Sequence, residues 1–371
     1  VYYGQMAQMI DTWAYHVESL SEYKLLTSDP VDFFTSLFHT SYETGYSNFL
    51  VSENSWWNDV KANFLIKVMA IFNLFSFGNY YINIIFYSFI SFFGPVAIYR
   101  VMVDVFPGRK IVLLVAVFLA PSFIYWTSGL HKEGLVFLGL AVMIYHFYFG
   151  FKEKNFSIIR IAAILFGIAL ILILRNFLIL PLLPPLLAWI LSHKVKWKPA
   201  FVFSAVFFLC IIIFFTARYL HPALDFPNST VVKQQEFLRL GGNSAVPVRK
   251  LKPTPESFVT NLPQALSLTV LRPYPTDVRH LLSLAAAIEI AAILLLFFAF
   301  LFLGTRGRTL TPFILFCLFF SFGVLAMVGY TVNILGAIVR YRSIIFPLLL
   351  VPMVANIDWG KIKVFLTNGK K

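Results

Sequence analysis

Residues 126–133 read Trp-Thr-Ser-Gly-Leu-His-Lys-Glu and separate two apolar runs, at 111–125 and 134–148. Such a turn places an imidazole, a cation and an anion between two membrane spans, which is costly unless the turn faces water or a partner group. One interpretation is a solvated hairpin turn, with Trp126 in the aromatic belt of the membrane interface. The other is that the turn belongs to a polar site, and the positions of the remaining charges bear on that choice.

The composition indicates a membrane protein. Hydrophobic residues make up 59% of the 371 residues and charged residues only 13%, with 42 Phe. A water-soluble fold of this size cannot bury that much apolar surface, and the period-two alternation typical of a transmembrane β-barrel does not occur. We therefore expect an all-α fold, a polytopic transmembrane helical bundle.

Nine apolar segments are each near the minimum length for crossing about 30 Å of hydrocarbon. Two of them are separated only by Arg175-Asn176, so they are either two spans or one broken hairpin. Because the chain begins at Val1 rather than Met, we expect one more span ahead of it. The nine segments lie at roughly 81–100, 111–127, 133–150, 158–174, 177–191, 200–217, 283–303, 311–330 and 343–357.

The chain divides by composition into four regions. We expect residues 1–80 to form an external acidic region with interfacial amphipathic helices and 81–217 to form a first transmembrane block. A long external basic loop follows at 218–282, and 283–371 is a second transmembrane block with a short cytoplasmic tail. Residues 1–60 hold eight acids and one Lys, a net charge of −7, which leaves +20 for the rest of a chain whose total is +13.

The distribution of Lys and Arg predicts the orientation. With nine alternating spans, five basic clusters fall on one side of the membrane, which the positive-inside rule makes the cytoplasm. The opposite, external face then receives the acidic region, the 126–133 turn, Arg175-Asn176, the basic loop and Arg340-Tyr341-Arg342. The five cytoplasmic clusters lie at 100–110, 152–160, 194–198, 306–308 and 361–371.

Arginines recur on the external face at headgroup depth. Arg272 and Arg279 lie where the basic loop returns to the membrane, and Arg340 and Arg342 lie in the last external turn. Guanidinium groups bind phosphate oxygens in pairs and stay charged, which favours a lipid-linked phosphate or pyrophosphate as ligand. Anchoring of the spans to lipid headgroups is the alternative. Glu289, about two turns into its span, is expected to pair with Arg279 or Arg342.

One face of a predicted helix in the acidic region carries Asp11, Tyr15, Glu18 and Glu22, at positions i, i+4, i+7 and i+11. Its three carboxylates could supply a general base or bind a divalent cation, although their spacing is not diagnostic of a metal site. An ordinary solvated helix face would have the same pattern.

The arrangement resembles the GT-C superfamily of membrane glycosyltransferases, which use polyprenyl-phosphate-linked sugars. In that family an acid soon after the first span acts as the catalytic base, and external arginines hold the donor phosphate. Residues 8–15 (Gln-Met-Ile-Asp-Thr-Trp-Ala-Tyr) correspond to that place if a first span precedes Val1, so the resemblance implies Asp11 as the base. The chain departs from many members in lacking an Asp-Asp or Glu-x-Asp pair. The segments 121–133 and 340–347 are also similar to bacterial polysaccharide polymerases, which use lipid-pyrophosphate glycans.

The resemblance implies an integral-membrane glycosyltransferase of the bacterial inner (plasma) membrane, with its active site facing the periplasm or exterior. The partners are a polyprenyl-linked donor, a glycan, lipid or protein acceptor, and membrane lipids, without nucleic acid. No cofactor or metal is assigned, although a divalent cation is compatible with the acids. The predicted catalytic residues are Asp11, His131 and Glu133, with His131 as a second proton carrier. The predicted substrate-binding residues are Tyr15, Glu18, Lys132, Arg272, Arg279, Arg340 and Arg342.

Three other functions stay open. A polysaccharide polymerase would use the same face and a lipid-pyrophosphate donor. A transporter or flippase would use the breaks at Arg175-Asn176 and around Pro181 and Pro184 to line a pathway. A non-catalytic subunit of a membrane complex would tolerate substitution of Asp11 or Arg342.

Overall fold

A computed structural model of the chain describes residues 11–39, 56–305 and 310–361. Within these ranges the protein is helical, and its only β pairings are two isolated bridges, Ala245 with Ile334 and Gly304 with Ile357. The predicted all-α class is therefore confirmed. Its physical cause is the apolar environment, in which a helix satisfies its backbone hydrogen bonds internally.

The described residues form sixteen α-helices. Before residue 176 they are α1 (Asp11–Ser28), α2 (Pro30–Thr35), α3 (Trp56–Ser76), α4 (Tyr80–Val105), α5 (Lys110–Phe118), α6 (Pro121–Ser128), α7 (Lys132–Lys152) and α8 (Ile158–Arg175). After it they are α9 (Ile179–Lys194), α10 (Pro199–Thr216), α11 (Phe226–Leu240), α12 (Pro255–Leu266), α13 (Leu281–Leu303), α14 (Pro312–Thr331), α15 (Leu335–Ser343) and α16 (Phe346–Ala355).

Six helical segments in the described ranges are long and apolar enough to cross a membrane, and the number is eight if two bent pairs each count as one span. In one bent pair the chain bends by 55° between α5 and α6, and in the other it bends by 63° between α15 and α16. The six are Tyr80–Val105, Lys132–Lys152, Ile158–Lys194, Pro199–Tyr219, Leu281–Leu303 and Pro312–Thr331.

The predicted count of nine spans is not confirmed. The segment that the sequence divides at Arg175-Asn176 is one helical run of 37 residues, Ile158–Lys194, interrupted only by a 3₁₀ turn at Asn176–Leu178. At about 1.5 Å per residue this run is longer than one crossing of the hydrocarbon requires.

Most of the candidate spans expose much of their apolar surface. In α13 only 17% of the apolar window is buried within the chain, and in the Pro199–Tyr219 segment 22%. Exposing such apolar surface to water costs free energy, whereas contact with lipid chains does not. These helices are those of an integral membrane protein.

The chain forms two compact units that each draw on separated stretches of sequence. The first comprises Val1–Ala97 with Ile124–Ile179, and the second comprises Ile98–Phe123 with Leu180–Lys371. In the first unit α1 packs on α3, α3 packs on α8, and α7 packs along α8. In the second unit α14 is the central helix and contacts α10, α11, α12 and α16.

The 218–282 segment, predicted as a long loop, contains α11 and α12 and packs on its own unit. Val231, Leu251 and Phe258 form a small buried cluster against Tyr330 of α14. The Gln234 side chain accepts a hydrogen bond from the Leu251 amide at 2.8 Å and donates one to the Tyr330 carbonyl at 3.0 Å. These contacts hold the basic segment on the membrane helices, so the residues that follow α12 have a defined position.

Glycines set the approach of α7 to α8. A Cβ added at Gly139 would lie 2.8 Å from the Gly167 carbonyl oxygen, and one added at Gly167 would meet the Gly139 carbonyl and lie 3.0 Å from Met143 Cβ. Small residues at a crossing allow helix backbones to approach closely in lipid, where dispersion contacts drive association.

We expect Gly167→Val to destabilise the protein by about 1–3 kcal/mol, because the added methyl groups force α7 and α8 apart. Thermal unfolding of the detergent-purified protein measures the effect. Gly242→Ala is the matched control, since its added Cβ would have no neighbour nearer than 3.6 Å. Equal melting temperatures for Gly167→Val and the wild type would contradict this packing.

Candidate functional site

The turn between α6 and α7 forms a buried polar group in the first unit. His131 immediately precedes α7, and its ring is buried and packs edge-on against Trp126 at a centroid distance of 5.0 Å. The Tyr87 hydroxyl of α4 donates to the His131 carbonyl and accepts from the Leu135 amide, at 3.2 Å in the second case. The turn is therefore built into the protein and is not a simple solvated hairpin.

Glu133 has a structural partner that the sequence analysis did not name. Its side chain is fully buried in the first turn of α7, where it forms an ion pair with Arg175 at the end of α8. A buried charge is stable only when it is paired in this way. This pairing by itself accounts for an acid at the position predicted to be catalytic.

The predicted face of α1 is only partly available for binding. Glu22 forms an ion pair with Lys67 of α3 at 2.6 Å, and Lys67 also donates to Ser36 at 3.0 Å. Glu18 is exposed. Tyr15 lies beneath Lys132, whose Nζ is 5.1 Å from the ring centroid. The structure thus brings together two predicted residues, Tyr15 and Lys132, from α1 and α7.

Asp11 begins α1, and its side chain lies outside the described part of the chain. Its assignment as the base therefore stays a prediction. Among the described residues, no group of three or more His, Cys, Asp or Glu side chains is arranged to hold a metal ion.

The buried side of α1 is polar and joins α3 and α4. Asn73 donates to the Ser19 hydroxyl at 3.0 Å, and Tyr80 donates to the Thr12 hydroxyl at 3.2 Å. His16 lies between them, with its ring 5.2 Å from that of Tyr80, and burial lowers its pKa. These contacts fix how α1 packs against α3 and α4.

Three of the four predicted arginines of the second unit have side chains that are at least partly exposed. Arg272 forms an ion pair with Asp277 at 3.3 Å and stacks on Tyr274. Arg279 is exposed and donates to the Asn243 carbonyl at 2.5 Å. Of the two expected partners of Glu289, Arg279 forms no ion pair with it within 4.0 Å among the described residues, and its guanidinium bonds to the backbone of the 218–282 segment. Arg340 is half-buried in the last turn of α15.

Arg342 differs from the others because it is 0% exposed. Its Nη1 donates to the carbonyls of Thr269 and Arg272, at 2.9 and 2.5 Å. Its Nε and Nη2 are also buried, and they have no hydrogen-bond partner in the described part of the chain. One end of the guanidinium is thus held by the backbone, while its side edge keeps two donors that no described group uses.

Glu289 is the carboxylate whose charge acts on Arg342. It lies in α13 with 7% of its surface exposed, and it attracts the Arg342 guanidinium electrostatically without an ion pair within 4.0 Å among the described residues. Its Oε1 accepts a hydrogen bond from the Ser122 amide at the start of α6, at 2.9 Å, and its Oε2 has no partner in the described ranges. The predicted pairing with Arg342 is thus an attraction without direct contact.

Comparisons of the chain with protein-family models, with curated proteins and with solved structures found no match. The function must therefore be inferred from the geometry of these two groups of residues.

Breaking the Glu133–Arg175 pair should be costly. We expect Glu133→Met to lower the free energy of unfolding by about 3–5 kcal/mol, because it removes the carboxylate that faces Arg175, and Glu133→Met with Arg175→Met to recover most of the loss. Thermal unfolding in detergent tests this. The surface pair Arg160–Glu153, in which the carboxylate is exposed, is the control, and Glu153→Gln should cost about 0–1 kcal/mol. Wild-type stability of Glu133→Met alone would show that the pair is not structural.

Acid should destabilise the first unit through His16. Burial lowers the pKa of His16 from 6.5, so below that pH the unfolded chain binds a proton that the folded chain excludes. The melting temperature should fall as the pH drops below 6.5, and it should fall less in His16→Gln. His39→Gln, at an exposed position, should keep the wild-type pH dependence. Identical pH profiles for His16→Gln and the wild type would contradict this role.

Proposed function

We propose that this protein is an integral-membrane glycosyltransferase that moves a sugar from a polyprenyl-phosphate-linked donor to an acceptor at the external face of a bacterial inner membrane. The observation that carries the proposal is the buried guanidinium of Arg342, whose Nε and Nη2 have no hydrogen-bond partner among the described residues. The resemblance to GT-C enzymes adds the class of donor.

The guanidinium edge made by Nε and Nη2 can donate two parallel hydrogen bonds to two oxygens of one phosphate. The Thr269 and Arg272 carbonyls hold Nη1, so the plane of the fork is set before a ligand arrives. Phe346 lies beside it, with its ring centroid 5.9 Å from the guanidinium carbon. Because these carbonyls carry no net charge, they do not neutralise the guanidinium, which can still bind an anion.

In the proposed transfer, the acceptor hydroxyl attacks the anomeric carbon of the donor sugar and the lipid phosphate leaves. The charge that develops on that phosphate is stabilised by a preoriented cation without proton transfer, and Arg342 would supply this stabilisation. Arg279 lies at the same end of the basic segment and would add positive potential, whereas the charge of Arg272 is offset by its ion pair with Asp277.

A polysaccharide polymerase is a related alternative, since a lipid pyrophosphate offers the same oxygens to Arg342. Comparing monophosphate with pyrophosphate donors separates the two activities.

A transporter or flippase is favoured by a different observation, the two bent helix pairs. Pairs of short helices with bends of 55° and 63° between them resemble the discontinuous helices that line transport sites. Movement of a lipid-linked sugar across a vesicle membrane without transfer would support this alternative.

We expect Arg342→Lys to lower kcat/KM for transfer by about 10²–10³, since an ammonium cannot bind two phosphate oxygens in parallel. The assay uses purified protein in vesicles with a panel of polyprenyl-phosphate and polyprenyl-pyrophosphate sugars. Arg239→Gln is the matched control, an exposed arginine in the same unit that should keep wild-type activity.

Thermal unfolding of each variant checks that the fold is retained. Binding of polyprenyl phosphate should weaken in Arg342→Lys in parallel with the rate. A folded Arg342→Lys variant with wild-type transfer and binding would contradict the assignment of the phosphate to Arg342.

A further inference from the structure

Glu289 lies about 12 Å into an apolar helix, counted at about 1.5 Å per residue from Leu281. A carboxylate at that depth requires a partner or a function. Its Oε1 accepts from the Ser122 amide and so caps the first turn of α6. This bond explains one oxygen only, and the other, Oε2, is buried with no partner among the described residues.

The capping bond does not explain why this position holds an acid. A glutamine has an oxygen that could accept the same hydrogen bond from Ser122, and a neutral amide loses less solvation than a carboxylate on burial. What a carboxylate adds is a negative charge and a second oxygen that accepts protons. Both features belong to Oε2, the atom that no described residue contacts.

Glu289 attracts Arg342 of the same unit electrostatically, without an ion pair within 4.0 Å in the described part of the chain. Arg342 in turn keeps two buried donors without described partners. Two opposite charges that attract each other but do not close into a pair suit a ligand that offers an anion to one and a hydroxyl proton to the other. A phosphate-linked donor meeting an alcohol acceptor is such a combination.

We propose that Glu289 binds the hydroxyl group of the acceptor and takes its proton during transfer. The inference rests on the proposed function and adds the acceptor side of the site. It assigns to Glu289, through Oε2, the role of general base that the family resemblance gives to Asp11.

The step balances without any further reactant. The acceptor O–H bond breaks and its proton passes to Glu289 Oε2, while the acceptor oxygen forms a bond to the anomeric carbon. The bond between that carbon and the phosphate oxygen breaks, and its electron pair stays on the phosphate beside Arg342. The proton on Glu289 is released to water after the products leave.

The decisive variant is Glu289→Gln, which keeps an oxygen for the Ser122 amide and removes the basic group. With an alcohol acceptor we expect kcat to fall by about 10²–10⁴, the usual contribution of a general base. Binding of polyprenyl phosphate should be unchanged or tighter, because the variant removes a negative charge that offsets Arg342. A merely structural role would instead weaken binding and rate together.

A second readout varies the acceptor. A more acidic hydroxyl depends less on a base, so the loss of rate in Glu289→Gln should shrink when an aliphatic alcohol is replaced by a fluorinated or phenolic one. Glu236→Gln is the matched control: Glu236 is also 7% exposed in the same unit, but it pairs with Lys233 at 2.8 Å, and its variant should transfer normally.

Asp11→Asn is measured alongside. Wild-type transfer by Glu289→Gln, with a large loss in Asp11→Asn, would overturn the inference and give the base to Asp11. An equal loss for every acceptor in Glu289→Gln would also overturn it. Absence of transfer by the wild type from every donor would overturn the proposed function itself, so the two failures are distinguishable.

Discussion

Every charge buried in this protein needs a partner, because neither lipid nor an apolar helix interface can solvate it. The Glu133–Arg175 pair joins α7 to α8, and the Lys67–Glu22 pair joins α3 to α1. The same requirement applies to backbone groups at helix breaks, where the Ser122 amide is capped by the Glu289 carboxylate. Polar contacts thus connect helices whose remaining surfaces are largely apolar.

The buried charges of the described residues are of two kinds. Glu133 and Lys67 each contact an opposite charge directly, which is sufficient reason for their burial. Arg342 and Glu289 are instead held by backbone groups and have no ion pair within 4.0 Å in the described ranges, where Nε and Nη2 of Arg342 and Oε2 of Glu289 are buried without a hydrogen-bond partner. A partly satisfied charge at this depth is expensive to maintain, and such charges in membrane helices mark binding and catalytic positions.

The candidate site was predictable only in its outline. The external arginines suggested a phosphate from the chemistry of guanidinium alone, but their sequence neighbourhoods gave no reason to separate Arg342 from Arg279. The structure separates them, because Arg342 is fully buried while Arg279 is exposed and bonds to the Asn243 carbonyl. The role of Ser122 was missed, although a proline opening a helix within an apolar stretch indicates amides that need an acceptor.

The sequence by itself determined the all-helical membrane class, since apolar composition and segment length are local properties that fix what each helix can do in lipid. Only the tertiary structure decided which charges meet. Glu133 and Arg175 are 42 residues apart, Arg342 and Thr269 are 73 apart, and Ser122 and Glu289 are 167 apart. Helical periodicity relates residues three or four positions apart and carries no information about such separations.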